Sequence, residues 1–290
     1  MIFKQFYYFL INSNVYISFA AVLLTIQAQI QLGMQPGGHP YLFIIFFATM
    51  LEYNFHRLIT LWFRKETLVD EKYKWLRNNI TVFYFLMIFS IIGFLGALVF
   101  AKTEVVVTLL PIGLITIFYS LPIFKSKQKL FRLREISILK IFLISSVWAL
   151  STVLLPVIQS SNNFDTTNVL LMITERFLFV FAITIPFDIR DIESDKNAGL
   201  KTIPLLIGEQ KATRLAMFSL ILFTVLFLVH YIKTPLAYTL PALIISSVTT
   251  FAFIINDRIK KTAYYHYGVL DGTMFFQGVM VIVSYYTFCR

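Results

Sequence analysis

About nine long apolar stretches limit what this chain can fold into. A helix needs roughly 20 consecutive apolar residues to cross the hydrocarbon core of a bilayer. Stretches of this kind cover 14–32, 41–62, 80–100, 104–122, 137–156, 168–187, 213–231, 236–255 and 268–288. Because they are apolar on all sides instead of alternating, they predict helices and exclude barrel strands. With 58% hydrophobic and 14% charged residues among 290, we expect an all-α polytopic membrane protein without an appended soluble domain.

Positive charge is distributed unevenly over the connections between these stretches. Lysine and arginine total 25 against 15 acidic residues, a formal net charge of +10. The basic residues concentrate at the N-terminus and in every second connection, and those on the other side are Lys102, Arg176, Lys233 and Arg290. The positive-inside rule predicts a cytoplasmic N-terminus and an external C-terminus, in the inner membrane if the source is bacterial. We therefore expect anionic membrane lipids, and no nucleic acid, as partners of this charge.

A dense cluster of charge follows the sixth apolar stretch. Asp188, Asp191 and Asp195 are spaced i, i+3, i+7, which on one helix places their carboxylates within an arc of about 60°. Like charges this close raise one another's pKa unless a cation lies among them. Carboxylates together with substrate phosphates suit Mg²⁺. The spacing predicts a metal site for a phosphorylated ligand on the cytoplasmic face; the alternative is a solvated acidic loop. Pro186 is expected to end the sixth helix before this cluster.

Ionisable groups also end the second stretch, on the same side of the membrane. Glu52 and His56 are spaced i, i+4 and share a helix face, and Asn54 and Arg57 share another. Such groups within a span are costly and usually face a cavity or a partner. Two interpretations remain open: a metal or phosphate site that faces the aspartates, or an internal Glu52–His56 ion pair with Arg57 extending to the interface.

The fourth stretch ends in an aromatic and then a basic segment. Pro122 ends or kinks the helix and leaves Tyr119 on its last turn. Lys125 and Lys127 follow at once, and Lys140 lies about four residues into the fifth stretch. These lysines are explained equally well as a topology signal or as cations that neutralise a diphosphate.

Glu175, Arg176 and Asp271 also lie within predicted spans. Glu175 and Arg176 are adjacent near the outer end of the sixth stretch, and we expect them to neutralise each other. Asp271 lies inside the start of the ninth stretch. An intramembrane aspartate is a functional candidate, and a hydrogen-bonded structural role is the alternative.

A longer motif includes the aspartate cluster. Its positions are Asp188, Arg190, Asp191, Glu193, Asp195, Gly199, Thr202, Pro204 and Gly208. This motif resembles the second aspartate-rich motif of the UbiA superfamily of intramembrane prenyltransferases. The segment Tyr119-Ser120-x-Pro122, followed by lysines, is similar to the Tyr-Ser segment of that family. Together with nine spans and cytoplasmic motifs, the resemblance covers essentially the whole chain.

The resemblance implies a fold and a reaction. The fold is one UbiA-like domain over 1–290, with helices bundled around a central cavity. The reaction is transfer of a prenyl group from an isoprenoid diphosphate to a hydrophobic or aromatic acceptor, with Mg²⁺ as cofactor. By resemblance, Asp188, Asp191 and Asp195 hold Mg²⁺, and catalysis involves Asp191, Lys125 and Tyr119. The substrate-binding candidates are Asn54, Arg57, Lys127, Lys140 and Arg190.

The chain departs from the family at its first motif, Asn-Asp-x-x-Asp-x-x-x-Asp. If its asparagine is aligned with Asn54, then Phe55, Leu58 and Trp62 occupy the aspartate positions, and none of them binds metal. Glu52 and His56 are the candidates for a substitute metal site. The alternatives are a single Mg²⁺ with altered activity, an isoprenoid diphosphate cyclase or hydrolase, and a non-catalytic lipid-binding or transporter-like protein on the same bundle.

Overall fold

The computed structural model is a bundle of long helices. It describes residues 2–63, 71–121, 124–126, 129–131, 136, 138–160, 162–197 and 199–289. The long helices in these ranges are α2 (Val15–Gln31), α3 (Pro40–Phe63), α5 (Ile80–Leu98), α6 (Thr103–Ser120), α7 (Leu139–Gln159), α8 (Thr166–Arg190), α11 (Glu209–Tyr231), α12 (Leu240–Ile255) and α14 (Asp271–Phe288). The short helices are α1 (Ile2–Asn12), α4 (Glu71–Asn78), α9 (Ile192–Asn197), α10 (Ile203–Ile207) and α13 (Asp257–Lys260).

Irregular elements join some of these helices. A 3₁₀ turn, Pro235–Thr239, leads into α12, and a π-helical turn, Tyr265–Leu270, leads into α14. The short antiparallel strands β1 (Phe124–Ser126) and β2 (Lys129–Phe131) lie between α6 and α7, with Phe124 opposite Phe131.

The membrane spans agree with the sequence prediction. Among the described residues, 8 helices are long and apolar enough to cross a membrane, or 9 if the bent pair α1–α2 is one span. An all-helical membrane bundle is therefore confirmed. The helices differ in how deeply they lie within the bundle: 67% of the apolar 18-residue segment of α8 is buried, but only 11% of that of α6. Helix α8 packs between α7 and α11, so its C-terminal end lies in the interior of the bundle.

The α1–α2 bend is held by buried polar side chains. The helices meet at 72°, and Asn14 has φ 66°, a left-handed conformation that asparagine adopts more readily than most residues. Its amide nitrogen donates to Asn54 Oδ1 at 2.6 Å, and its Oδ1 accepts from Arg57. Arg57 also donates to the carbonyl of Asn12 at 2.5 Å, which satisfies the C-terminal end of α1. The structure thus places Asn54 and Arg57 in a connection between the bend and α3.

A second buried polar network lies toward the N-terminal half of α8. Glu175 accepts from His230 at 2.7 Å, and Arg176 donates to the side chains of Gln27 and Gln277 at 3.3 and 3.4 Å. Each of the two residues thus has hydrogen-bond partners on other helices, and their expected mutual neutralisation stays a prediction. Adjacent helical residues point about 100° apart, so each one meets a different neighbouring helix.

Candidate functional site

Asp188 lies on the last turn of α8 and is 1% exposed. The expectation that Pro186 ends this helix is wrong, because α8 continues to Arg190. Proline removes one backbone donor, and in a helix packed on most sides the neighbouring helices hold the remaining turn in place. Instead of entering a loop, Asp188 stays inside the bundle.

A lysine on α7, the helix that precedes α8, lies against this carboxylate. The Lys140 Nζ atom is 2.6 Å from Asp188 Oδ1 and 3.9 Å from Asp191 Oδ2. The side chains of Lys140 and Asp188 are 9% and 2% exposed, respectively. Transfer of two charges out of water is costly unless they are paired. Lys140, a substrate-binding candidate from sequence, is thus a buried cation shared by two aspartates of the motif.

Asp191 forms the C-terminal cap of α8, with φ −88° and ψ 4°. Its two carboxylate oxygens accept from Arg190 at 2.7 and 3.1 Å. The Arg190 guanidinium also lies 5.4 Å from the ring centre of Phe187 and 5.1 Å from that of Tyr267. Arg190 is fixed by charge and by two aromatic faces at the mouth of the bundle.

Asp195 is on a different helix from Asp188. Helix α9 begins after the cap at Asp191, and Asp195 is 5% exposed on it. The three carboxylates therefore do not lie along one continuous helix face, which was the geometry inferred from their spacing. Within the ranges that the structure describes, no group of three or more His, Cys, Asp and Glu side chains is arranged to hold a metal ion.

Asp188 and Asp191 have the oxygen ligands that Mg²⁺ requires. Asp188 Oδ1 is buried, and among the described residues no donor is aligned with it for a hydrogen bond, although the Lys140 ammonium is close by. Two carboxylates that share one cation match the few protein ligands that Mg²⁺ takes when phosphate oxygens complete its coordination. Asp188 and Asp191 therefore fit a metal bound jointly with a diphosphate.

Lys140 stands at one end of an apolar stripe on α7. The residues that continue the stripe along the same face are Leu143, Ile144, Val147, Trp148, Ser151 and Leu155. Their spacing of three or four residues puts them in line with Lys140. Helix α7 thus connects the ion pair to the interior of the bundle.

This stripe lines a pair of adjoining cavities between α3, α6 and α7. Their volumes are about 150 and 130 Å³. Both are mostly apolar, and the residues they share are Glu52, Tyr53, Thr116, Val147 and Trp148. The cavities are therefore neighbouring apolar spaces with a few polar groups, which is the usual character of a small-molecule site.

The polar groups of the first cavity include Glu52 and His56. They contact each other through Ser120, the last residue of α6: Ser120 Oγ donates to Glu52 Oε1 at 2.8 Å, and His56 Nδ1 is 3.0 Å from Ser120 Oγ. The Tyr119 ring is 5.7 Å from the His56 ring and also lines this cavity. The internal Glu52–His56 pair considered from sequence is thus bridged by a serine.

The remaining candidates fall outside this arrangement. Asn54 and Arg57 face the α1–α2 bend, and Asp271 is buried at the start of α14. Lys125 is on β1, but its side chain is outside the described part of the structure, as is Lys127 altogether.

Sequence reasoning did not assign roles to several cavity residues. Ser120 appeared only as part of a family segment, and Tyr53, Thr116 and Trp148 were not singled out. Ser120 is 64 residues from His56 and 68 from Glu52, so no local spacing could connect them. The one available signal was the position of Ser120 at the end of a predicted span.

A polytopic helical bundle with apolar cavities and a buried carboxylate–lysine pair defines an integral membrane protein. The UbiA prenyltransferase family model matches residues 77–277, and the chain belongs to that family. No curated protein sequence matches the chain.

Solved structures share the fold at low sequence identity. One is a UbiA homolog from Archaeoglobus fulgidus bound to GPP and Mg²⁺, with 15% identity, a TM-score of 0.64 and coverage of 94% of this chain and 99% of that one. A UbiA homolog from Aeropyrum pernix K1 without ligand has 13% identity, a TM-score of 0.63 and coverage of 94% and 98%. A digeranylgeranylglyceryl phosphate synthase structure has 17% identity, a TM-score of 0.58 and coverage of 98% and 99%.

Proposed function

We propose that this protein transfers a prenyl group from an isoprenoid diphosphate to a hydrophobic or aromatic acceptor inside the membrane. The observation that carries the proposal is the stripe on α7, which leads from the Lys140–Asp188 pair into the apolar cavities. A prenyl diphosphate has the same polarity pattern, a charged head on a long apolar chain. Family membership and the GPP and Mg²⁺ bound to the Archaeoglobus fulgidus homolog support this choice of donor.

The charged residues would bind the diphosphate head. Lys140 and Arg190 supply cations, and a lysine ammonium is well suited to phosphate as a compact point charge. Asp188 and Asp191, with Asp195 nearby in sequence, would hold Mg²⁺. When bound, Mg²⁺ would neutralise charge on the departing diphosphate. The Lys140 ammonium itself lies beside both aspartates.

The apolar cavities would hold the prenyl chain and exclude water from its reacting end. The rings of Tyr53, Tyr119 and Trp148 line the first cavity. Aromatic faces attract a developing carbocation, and a dry site limits its capture by water. Tyr119 is the sequence candidate for this contact. Its position beside His56 in the cavity supports that role.

The distribution of charge supports a cytoplasmic location for the site. The ends of α6 and α8 and the start of α7 carry the site residues, and these ends adjoin the basic connections. The positive-inside rule assigns such connections to the cytoplasm. Soluble prenyl diphosphate would then reach the site from that side, while an apolar acceptor would enter from the bilayer.

Turnover of prenyl diphosphates by the purified protein tests the proposal. We expect Mg²⁺-dependent release of diphosphate from radiolabelled GPP or DMAPP, and a decrease of about 10²-fold or more in Asp188→Asn and Asp191→Asn. Asp257→Asn is the matched control, because Asp257 is 84% exposed and pairs with Lys260 outside the site.

The products separate the alternatives. A prenylated acceptor supports the proposed reaction, whereas prenyl alcohol or a cyclised product formed equally with and without acceptor indicates a hydrolase or cyclase. Binding of prenyl diphosphate without any turnover in the wild-type protein indicates a lipid-binding or transporter-like role. Equal turnover by wild type and by both aspartate variants would refute the assigned site.

A further inference from the structure

The proposed diphosphate site leaves one polar group of the cavity without a role. This group is the hydrogen-bonded series Glu52–Ser120–His56, which joins α3 to the end of α6. Glu52 lines both cavities, and His56 lines the first. In this family the corresponding end of the second span carries metal-binding aspartates by resemblance, but here Phe55, Leu58 and Trp62 occupy those positions. The polar chemistry at this helix end is thus of a different kind.

One assignment of protons satisfies both contacts in the series. Ser120 has a single hydroxyl proton, which it donates to Glu52 Oε1 at 2.8 Å. The direction of the 3.0 Å contact between Ser120 Oγ and His56 Nδ1 depends on the histidine tautomer, and it is a hydrogen bond beside that donation when Nδ1 carries the ring proton. In this tautomer the neutral imidazole carries a lone pair on Nε2. The carboxylate, through the serine, favours this tautomer.

His56 is placed where an acceptor would react. It shares the cavity with Tyr119 and Trp148, and α7 lines the same space from Leu143 onward, one turn from Lys140. The prenyl carbon that bears the diphosphate would lie between the charged cluster and the apolar interior. A group in this part of the cavity can contact the acceptor without contacting the metal-binding aspartates.

We propose that His56 Nε2 accepts the proton that the acceptor loses during prenyl transfer. This inference rests on the proposed prenyltransferase function. In the step, an electron pair of the acceptor forms a bond to the first prenyl carbon, and the carbon–oxygen bond breaks with its electron pair leaving on the diphosphate. The acceptor proton moves to Nε2. The resulting imidazolium is stabilised by Glu52 through Ser120.

Ser120 and Glu52 are positioning residues in this scheme, since they act only through His56. Their loss should change the proton acceptor but not the binding of the diphosphate head, which depends on Lys140 and Asp188. The scheme also specifies the acceptor chemistry: it must carry a proton on its nucleophilic group, as a phenol does, and the rest must be apolar enough for the cavity.

The test measures diphosphate release and acceptor prenylation separately in the full-length protein in nanodiscs. The donor probe is GPP, and the acceptor probe is 1-naphthol, a small apolar phenol. The variants are His56→Ala, Ser120→Ala and Glu52→Gln, with His39→Ala as control because His39 stacks on Tyr41 outside the cavity. Each variant is also assayed with added imidazole, and GPP binding is measured by calorimetry.

We expect His56→Ala to bind GPP as the wild type does but to prenylate naphthol about 10² to 10⁴ times more slowly. Released prenyl groups should appear as prenyl alcohol, and imidazole should restore naphthol prenylation. Ser120→Ala and Glu52→Gln should show smaller losses in the same product ratio.

Three other outcomes would contradict the proposed role of His56. Naphthol prenylation by His56→Ala within a few-fold of wild type would overturn the inference and leave the proposed function in place. Loss of both GPP binding and prenylation, without rescue by imidazole, would also overturn it and assign His56 a structural role. Absence of GPP turnover in the wild type would refute the proposed function itself, and the inference with it.

Discussion

Substitution of Lys140 by methionine tests the arrangement on which the diphosphate site depends. Methionine keeps the length and apolar stem of the side chain but removes the ammonium. In the structure this leaves Asp188, whose side chain is 2% exposed, without the cation 2.6 Å from its Oδ1. Asp191 loses a more distant contact at 3.9 Å but keeps Arg190. Most of the effect should therefore arise at Asp188.

The expected magnitude follows from burial. Removal of one partner from a buried ion pair costs about 3–5 kcal/mol, because the other charge stays uncompensated. Both side chains here are less than a tenth exposed, at 9% and 2%, so we expect Lys140→Met to fall in this range. A surface pair such as Lys260–Asp257, with side chains 36% and 84% exposed, is worth less than about 1 kcal/mol.

A double-mutant cycle isolates the pair. Lys140→Met, Asp188→Asn and the combined variant are unfolded in mixed detergent micelles with increasing SDS, and Lys260→Met serves as the control. Because the combined variant has no uncompensated charge, we expect it to be more stable than Lys140→Met alone. The coupling free energy should be about 2 kcal/mol or more.

Two results would refute this reasoning. One is a loss of less than about 1 kcal/mol in Lys140→Met, which is the value for an exposed pair. The other is simple additivity of the two single substitutions, which would mean that Lys140 and Asp188 do not interact in the membrane.

Three further outcomes are expected. Gly278→Ala should lower the free energy of unfolding by about 1–3 kcal/mol, because a Cβ there lies 2.7 Å from Leu23 Cβ and 2.8 Å from the Leu23 backbone carbonyl carbon. Gly96→Ala is the control: a Cβ there has no atom within 4 Å, so this variant should be neutral or stabilising in the same unfolding assay. Asn14→Ala should cost about 1–3 kcal/mol because it removes the buried hydrogen bonds that Asn14 makes with Asn54 and Arg57, and equal stability in thermal denaturation would contradict the assigned bend contacts. Calorimetry should detect much tighter Mg²⁺ binding with GPP present than without it. The reason is that two carboxylates, those of Asp188 and Asp191, lie near the position of the Lys140 ammonium, and the diphosphate would supply further oxygen ligands. Tight binding of Mg²⁺ alone would show a protein site that the described residues do not form.

Hydropathy predicted the spans but not their depth in the bundle. Helices α6 and α8 have mean hydropathies of 1.7 and 1.9, yet 11% and 67% of their apolar windows are buried. Lipid and protein interior are similarly apolar, so hydrophobicity does not distinguish a lipid-facing helix from a central one. For the same reason the sequence did not reveal that Pro186 lies within a helix that its neighbours support.

The candidate site was predictable in part. The aspartates were selected from their spacing, and Glu52 and His56 were selected because ionisable groups within a span are costly. The family resemblance added Lys140 and Tyr119. Their contacts were not predictable. The spacing argument assumed one helix through Asp195, whereas the chain turns at Asp191.

The sequence by itself determined that the chain spans the membrane repeatedly as helices, because in lipid every backbone polar group must be satisfied within its own segment and this requires long apolar runs. The tertiary structure alone decided that Lys140 pairs with Asp188 and that Ser120 joins Glu52 to His56. These side chains belong to different helices far apart in the chain. Their contacts depend on which helix faces pack together, and that choice is a property of the whole bundle.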